Sequence, residues 1–198
     1  MRNKIVYFFA NILLLFIIAF AIGGCQDDFQ PKPRGYFRIQ LPEKEYVAFH
    51  PQDYPYSFLL PVYARVSKPG FLAEKYWINI DYPRFQARLH ISYKPIHENL
   101  DTLLNDMHNM MNKHIPKANA IDEKMFINDE LRIYGMAYDI KGPEAASPYQ
   151  FYLTDSTQHF LRGALYFNFT PNNDSLKPII EYLEKDIQKL IESTRWEK

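Results

Sequence analysis

Hydrophobic residues follow three rhythms along this chain. Residues 5–22 form an almost unbroken apolar run. Residues 76–94 alternate instead. Tyr76, Ile78, Ile80 and Tyr82 fall on one face, with Trp77, Asn79 and Asp81 on the other. Residues 87–94 repeat the pattern, with Leu89, Ile91 and Tyr93 inward and Arg88, His90, Ser92 and Lys94 outward. Period-two alternation predicts strands with one solvated face, and Pro83-Arg84-Phe85-Gln86 is suited to close them into a hairpin. Residues 99–114 switch to helical spacing. Leu100, Leu103, Leu104, Met107, Met110 and Met111 make a single apolar stripe, and Pro116 ends the helix. A second helix is predicted over residues 174–194, with Leu176, Ile179, Ile180, Leu183, Ile187, Leu190 and Ile191 on its apolar side. Asn173, Asp174 or Ser175 can cap it, and Pro178 is placed in its first turn.

Further strands are predicted over residues 36–41, 56–60, 63–67, 125–128, 131–141, 149–154 and 160–169. Gly142-Pro143 and residues 155–158 supply turns. An antiparallel β-sheet packed by two amphipathic helices is an α+β fold. The order of elements is similar to PsbP/Mog1-like architectures.

The N-terminal run changes the picture beyond the fold. Arg2 and Lys4 precede it, and Gly23, Gly24 and then Cys25 follow it. A basic start, an apolar core and small residues before a lone cysteine predict a lipoprotein signal over residues 1–24, with Cys25 as the lipidated residue. An uncleaved span is the competing reading, because about 18 apolar residues only just cross a bilayer. Residues 25–35 contain Pro31 and Pro33. They read as an extended tether reaching ~30 Å at ~3.1 Å per residue. A single domain is expected over residues 36–198.

Removal of Arg2 and Lys4 leaves 21 basic against 23 acidic residues, a net charge of −2. That balance points away from nucleic acid. The single cysteine excludes a disulfide within the chain. Aromatic residues make up 16% of the sequence, 15 of them Tyr, which favours a β-rich domain with aromatic groups at its surface.

The six histidines show no ligand spacing: His90 and His97 are seven apart, His108 and His114 six apart, where a helical zinc site uses i and i+4. No metal or cofactor is expected. His114 continues the helical stripe, near a helix C-terminus where positive charge is favourable. Asp155, Ser156 and His159 bring an acid, a nucleophile and a base close together in sequence, which is the inventory of acyl transfer. Asp and Ser are also ordinary turn residues, and no Gly-flanked elbow surrounds Ser156. Asp81, Asp139 and Asp155 could serve a carboxylate-pair mechanism, but nothing in the sequence unites two of them. The better surface is the polar side of the 76–94 hairpin. There Trp77, Asn79, Asp81, Arg88 and His90 gather as a protein-interaction face.

Several segments carry a family resemblance. They are residues 31–39, 90–96, 99–100, 106–108 and 113–118, and above all Gln150-Phe151-Tyr152-Leu153-Thr154-Asp155-Ser156 continued by His159-Phe160-Leu161-Arg162-Gly163-Ala164-Leu165-Tyr166-Phe167. In these the chain resembles the GldD family, gliding-motility lipoproteins of the Bacteroidota. The resemblance implies a non-catalytic accessory of the gliding apparatus, tied to type IX secretion and acting through other proteins of that machinery. It assigns no catalytic residue. Asp27 and Asp28 behind the cysteine resemble a flavobacterial surface-export signal, so a lipid-anchored envelope protein facing the periplasm or the cell surface is expected, with the outer membrane favoured. The alternatives are a cell-envelope hydrolase built on Asp155, Ser156 and His159, or a peptidoglycan- or glycan-binding lipoprotein.

Overall fold

The computed structural model describes residues 39–70, 73–170 and 172–197. All of them belong to the unit Tyr36–Lys198. The predicted signal, Cys25 and the predicted tether lie outside the described residues.

Among the described residues the chain forms ten strands and two α-helices. They run in the order β1 (Tyr46–Phe49), β2 (Tyr56–Pro61), β3 (Arg65–Ser67), β4 (Ile78–Tyr82), β5 (Ala87–Pro95), α1 (Leu100–Asn112), β6 (Ala120–Asn128), β7 (Ile133–Lys141), β8 (Tyr149–Thr154), β9 (His159–Phe167), α2 (Asn173–Ser193) and β10 (Arg195–Trp196). The strands make two sheets rather than the one expected. Seven pair in the order β3-β4-β5-β9-β8-β7-β6, and three in the order β1-β2-β10. Every pairing is antiparallel. The expected α+β class with antiparallel strands and two helices is what the chain adopts.

Alternation decides what covers each face of the large sheet. Ile78, Ile80, Leu89, Ile91, Phe151, Leu153, Leu161 and Leu165 are fully buried on one side. There they pack with Leu183, Ile187, Leu190 and Ile191 of α2 and with Tyr56, Phe58 and Leu60 of β2. The opposite face is covered only in part. Leu103 and Met107 of α1 seal Tyr138, Ile140 and Phe160 in a second, smaller core. Among the described residues the β4-β5-β9 half of that face has no helix over it in either apolar cluster.

Gly163 marks the tightest point of the main core. The ring of Phe151 lies where its Cβ would stand, so any side chain there collides with it. A second constraint sits at the edge of α2. Asp186 is fully buried and accepts hydrogen bonds from Lys44 Nζ at 2.5 Å, Tyr46 Oη at 2.9 Å and the Tyr63 hydroxyl. Lys44 also lies 3.6 Å over the Tyr182 ring, and Tyr182 Oη donates to the carbonyl of Pro42. These contacts fasten the chain entering β1 onto the helix.

Several expectations need correction. Residues 36–38 of the predicted first strand lie outside the described residues, and Ile39 to Leu41 have no regular structure; the first strand is β1. Strand β6 begins at Ala120, five residues earlier than predicted. Its polar residues Asp122, Glu123 and Lys124 hide it from an apolar count, because an edge strand with exposed sides needs no alternation. Helix α2 starts at Asn173, so Pro178 lies in the second turn rather than the first. No side chain caps this helix; Asn173 instead donates to the carbonyls of Gly142 and Ala145 and ties the β7–β8 connection to the helix start.

Two stability outcomes follow from these contacts. Gly163→Ala should cost about 1–3 kcal/mol through overpacking against Phe151. Asp186→Ala should cost about 1–3 kcal/mol, since it takes the acceptor from the Tyr46 and Tyr63 hydroxyls while Lys44 keeps the Tyr182 carbonyl. Urea unfolding of the full-length protein in detergent reads both, with a shift in midpoint and an unchanged slope.

Candidate functional site

The hairpin β4–β5 positions the predicted interaction face by register. Asn79 stands opposite His90 and Asp81 opposite Arg88, all on the uncovered side of the sheet. Arg88 Nε donates to Asp81 Oδ1 at 2.5 Å, and Ser67 Oγ donates to Asp81 Oδ2 at 2.6 Å. Burial pushes the Asp81 carboxyl up, but the Ser67 and Arg88 hydrogen bonds and the Arg88 charge outweigh it and hold it low. His90 Nδ1 lies 2.7 Å from Asn79 Oδ1. Burial and the positive charge of Arg88 lower the His90 pKa against the opposing pull of Asp81, so the ring is neutral at pH 7.

The face is less solvated than a freely exposed sheet surface. Asn79 is only 4% exposed, and Trp77 is half-buried with its indole N–H donating to the Tyr93 carbonyl at 3.0 Å. A groove of about 780 Å³ crosses the face, lined in part by Trp77, Asn79 and His90. Pro69, Gly70 and Ala73 line it from the β3–β4 connection, and Arg162, Ala164 and Tyr166 enter it from β9. Arg162 and Tyr166 belong to the site; both fall in the segment that carries the family resemblance, but sequence reasoning did not place them on this face. Their alternation on β9 puts them outward, but only the β5–β9 pairing sets Arg162 opposite Ser92 and Ala164 opposite His90.

A polar chain leads from the groove to helix α1. Arg162 Nη2 donates to Gln150 Oε1 at 3.1 Å, and Gln150 Nε2 lies 2.8 Å from His114 Nε2. Gln150 is fully buried. Burial and the nearby Arg162 charge lower the His114 pKa, so the favourable helix-end charge expected of it does not develop. His108 is exposed. Among the described residues no group of three His, Cys, Asp or Glu could hold a metal ion.

The 155–159 segment is a braced turn. Asp155 Oδ1 accepts the backbone N–H groups of Thr157, Gln158 and His159, and Oδ2 accepts the Thr157 hydroxyl. Burial raises the Asp155 carboxyl, but these four hydrogen bonds together bring it down to about 2. Ser156 takes the left-handed backbone at φ 68°, with its N–H donating to Thr154 Oγ1 at 2.9 Å. His159 turns elsewhere: Nδ1 lies 2.8 Å from Tyr93 Oη, and its ring stacks on Trp196 at 4.9 Å and 6°. Among the described residues no hydrogen bond joins Ser156 to His159, and Asp155 does not orient the imidazole. The three side chains therefore lack the relay that acyl transfer needs.

The carboxylates are similarly divided, since Asp81 and Asp155 are each engaged locally. Asp139 has a neighbour that sequence reasoning missed. Burial raises Glu184 of α2 to about 7, helped by the charges of Asp139 and Glu181. Burial also raises Asp139 itself, opposed by Lys141.

A family model described as gliding motility lipoprotein GldD matches residues 26–196. The chain belongs to the GldD family of gliding motility lipoproteins. Membership carries a lipoprotein's attachment to the cell envelope, while among the described residues no helix is long and apolar enough to cross a membrane. Among curated proteins no significant match is found. Among solved structures the chain is similar to cyanobacterial PsbP (CyanoP) from Synechocystis sp. PCC 6803, at 9% identity and a TM-score of 0.49, covering 89% of this chain and 99% of that one.

The two shifted carboxyl groups make opposite pH predictions. Asp155 has a folded pKa below its unfolded value, so its stabilisation is present above pH ~4 and lost as pH falls towards about 2. Glu184 has a raised folded pKa, so its contribution is full below pH ~4.5 and lost as pH rises through about 7. Thermal melts from pH 2 to 8 should show Asp155→Asn losing stability mainly above pH 4. Glu184→Gln should raise Tm at pH 8 and leave it nearly unchanged at pH 4.

Proposed function

We propose that this GldD-family protein is a lipid-anchored accessory of the gliding apparatus, linked to type IX secretion, that acts through protein contacts and not through catalysis. One observation carries the reading: among the described residues half of one face of the seven-stranded sheet is left without a helix, and it presents Trp77, Asn79 and His90 around a groove, with the Asp81–Arg88 pair on the same strands. Aromatic and arginine side chains in a concave patch are the usual composition of a protein-docking surface. The unrelayed Ser156 and His159 favour this reading over an envelope hydrolase.

Cys25 carries the lipid in this reading. It is the sole cysteine, and the family match begins at the next residue. Several acyl chains at ~0.8 kcal/mol per buried CH2 hold a protein firmly to a bilayer. Asp27 and Asp28 beside the anchor favour the outer membrane.

Cys25→Ala should leave the domain folded, move the protein from the membrane to the soluble fraction, and stop gliding. Normal gliding by a detached variant would defeat the anchoring claim. Replacing Trp77 and Arg88 together by Ala should abolish crosslinking to gliding or secretion subunits in intact cells while the protein stays membrane-bound. Undiminished crosslinks would place the docking surface elsewhere.

A further inference from the structure

The groove has a feature that the docking role does not by itself require. Arg162 stands at its floor on β9 with an incomplete set of partners. Nη2 is used by Gln150, but Nε is buried and makes no hydrogen bond. Among the described residues Arg162 belongs to no ion pair; the pairs nearby are Arg88 with Asp81 and Lys94 with Glu74. Gln150 gives Arg162 its side-chain oxygen as a neutral acceptor, while its amide nitrogen faces His114. Arg162 is half-buried, and its guanidinium, with no carboxylate paired to it, has N–H groups beyond the enclosed Nε that an incoming anion can engage.

The walls suit a particular occupant. Trp77 and Tyr166 both line the groove, and Tyr166 meets the His90 ring edge-on at 5.5 Å. Arg88 is engaged by Asp81, and His90 is neutral. The positive charge left for a visitor is therefore that of Arg162. Its planar fork matches a carboxylate with two parallel hydrogen bonds. At about 780 Å³ the groove is large enough for one acidic side chain and an apolar neighbour.

We propose that the partner protein docks by inserting an Asp or Glu side chain into this groove, with its carboxylate on Arg162 and a flanking apolar residue between Trp77 and Tyr166. The proposal rests on the docking reading above and adds the chemistry of what is recognised. Arg162 acts as the specificity-determining residue, and Gln150 and His114 hold its guanidinium in place.

Two measurements on the full-length protein in detergent and in cells test it. The first uses 3-phenylpropionate and its neutral amide as probes, read by Trp77 fluorescence in a Trp196→Phe background. The carboxylate should bind about ten-fold tighter than the amide, the worth of one charged hydrogen bond. Arg162→Met should erase the preference, and Arg162→Lys, which keeps the charge but loses the fork, should retain only part of it. Equal binding of acid and amide, or a preference that survives in folded Arg162→Met, overturns the proposal. The second places a photocrosslinking residue at Ala73 on the groove rim. Adducts to gliding or secretion subunits should disappear with Arg162→Met and diminish with Arg162→Lys. Adducts that vanish with Trp77→Ala yet persist in both Arg162 variants would leave docking standing and overturn the acidic contact. Adducts indifferent to all three substitutions would remove the docking reading as well.

Discussion

The pairing of β5 with β9 is the constraint on which the rest of the domain depends. Nine residue pairs, from Ala87 with Phe167 to Pro95 with His159, join the β3-β4-β5 half of the sheet to the β8-β7-β6 half. Because side chains alternate strictly along a strand, this one register fixes two surfaces at once. Leu89, Ile91, Leu161 and Leu165 go to the core, and His90, Ser92, Arg162 and Ala164 go to the other face. A slip by one residue would bury Arg162 among leucines and expose the core. Gly163 keeps the Phe151 ring tight against this pair, so packing and register reinforce each other.

The two faces then meet different fates because the helices differ. Helix α2 offers a long run of buried Ile and Leu and closes the apolar face together with β2. Helix α1 buries only Leu103 and Met107, enough to seal the β7–β8 end of the second face. What remains uncovered is the region around Trp77, His90 and Arg162. Polar residues there satisfy one another in cross-strand pairs, as a half-wet sheet surface requires. Arg162 is the exception, held by Gln150 and short of one partner. The 155–159 turn illustrates the opposite case. Its carboxylate accepts three local N–H groups and the Thr157 hydroxyl, which stabilises the β8–β9 connection, and among the described residues no hydrogen bond joins it to the His159 ring.

Much of this was legible from the chain. The alternation of residues 76–94 located β4, β5 and the polar face with Trp77, Asn79, Asp81, Arg88 and His90, because a period of two is a local property of the backbone. The helical stripes located α1 and α2 for the same reason. Strand β8 was read at its true bounds, Tyr149–Thr154. Less visible were β6, whose exposed polar residues carry no periodic signal, and β1, a four-residue strand that exists only because β2 is beside it. Asn173 read as a helix cap, since Asn caps helices in isolation; its use as a bridge to Gly142 and Ala145 depends on a loop some thirty residues away.

The sequence by itself determined the element types, the two-faced character of the hairpin strands, the absence of an internal disulfide and the family. All of these reside in local spacing or residue identity. Only the tertiary structure decided that there are two sheets, that α1 covers half a face and leaves the other half open, and that Arg162 and Tyr166 from β9 join the hairpin residues around one groove. It also decided that His159 turns to Tyr93 and Trp196 and away from Ser156. Long-range strand order and the direction of a side chain across it are set by burial and pairing between segments far apart in the chain. No window of neighbouring residues contains that information.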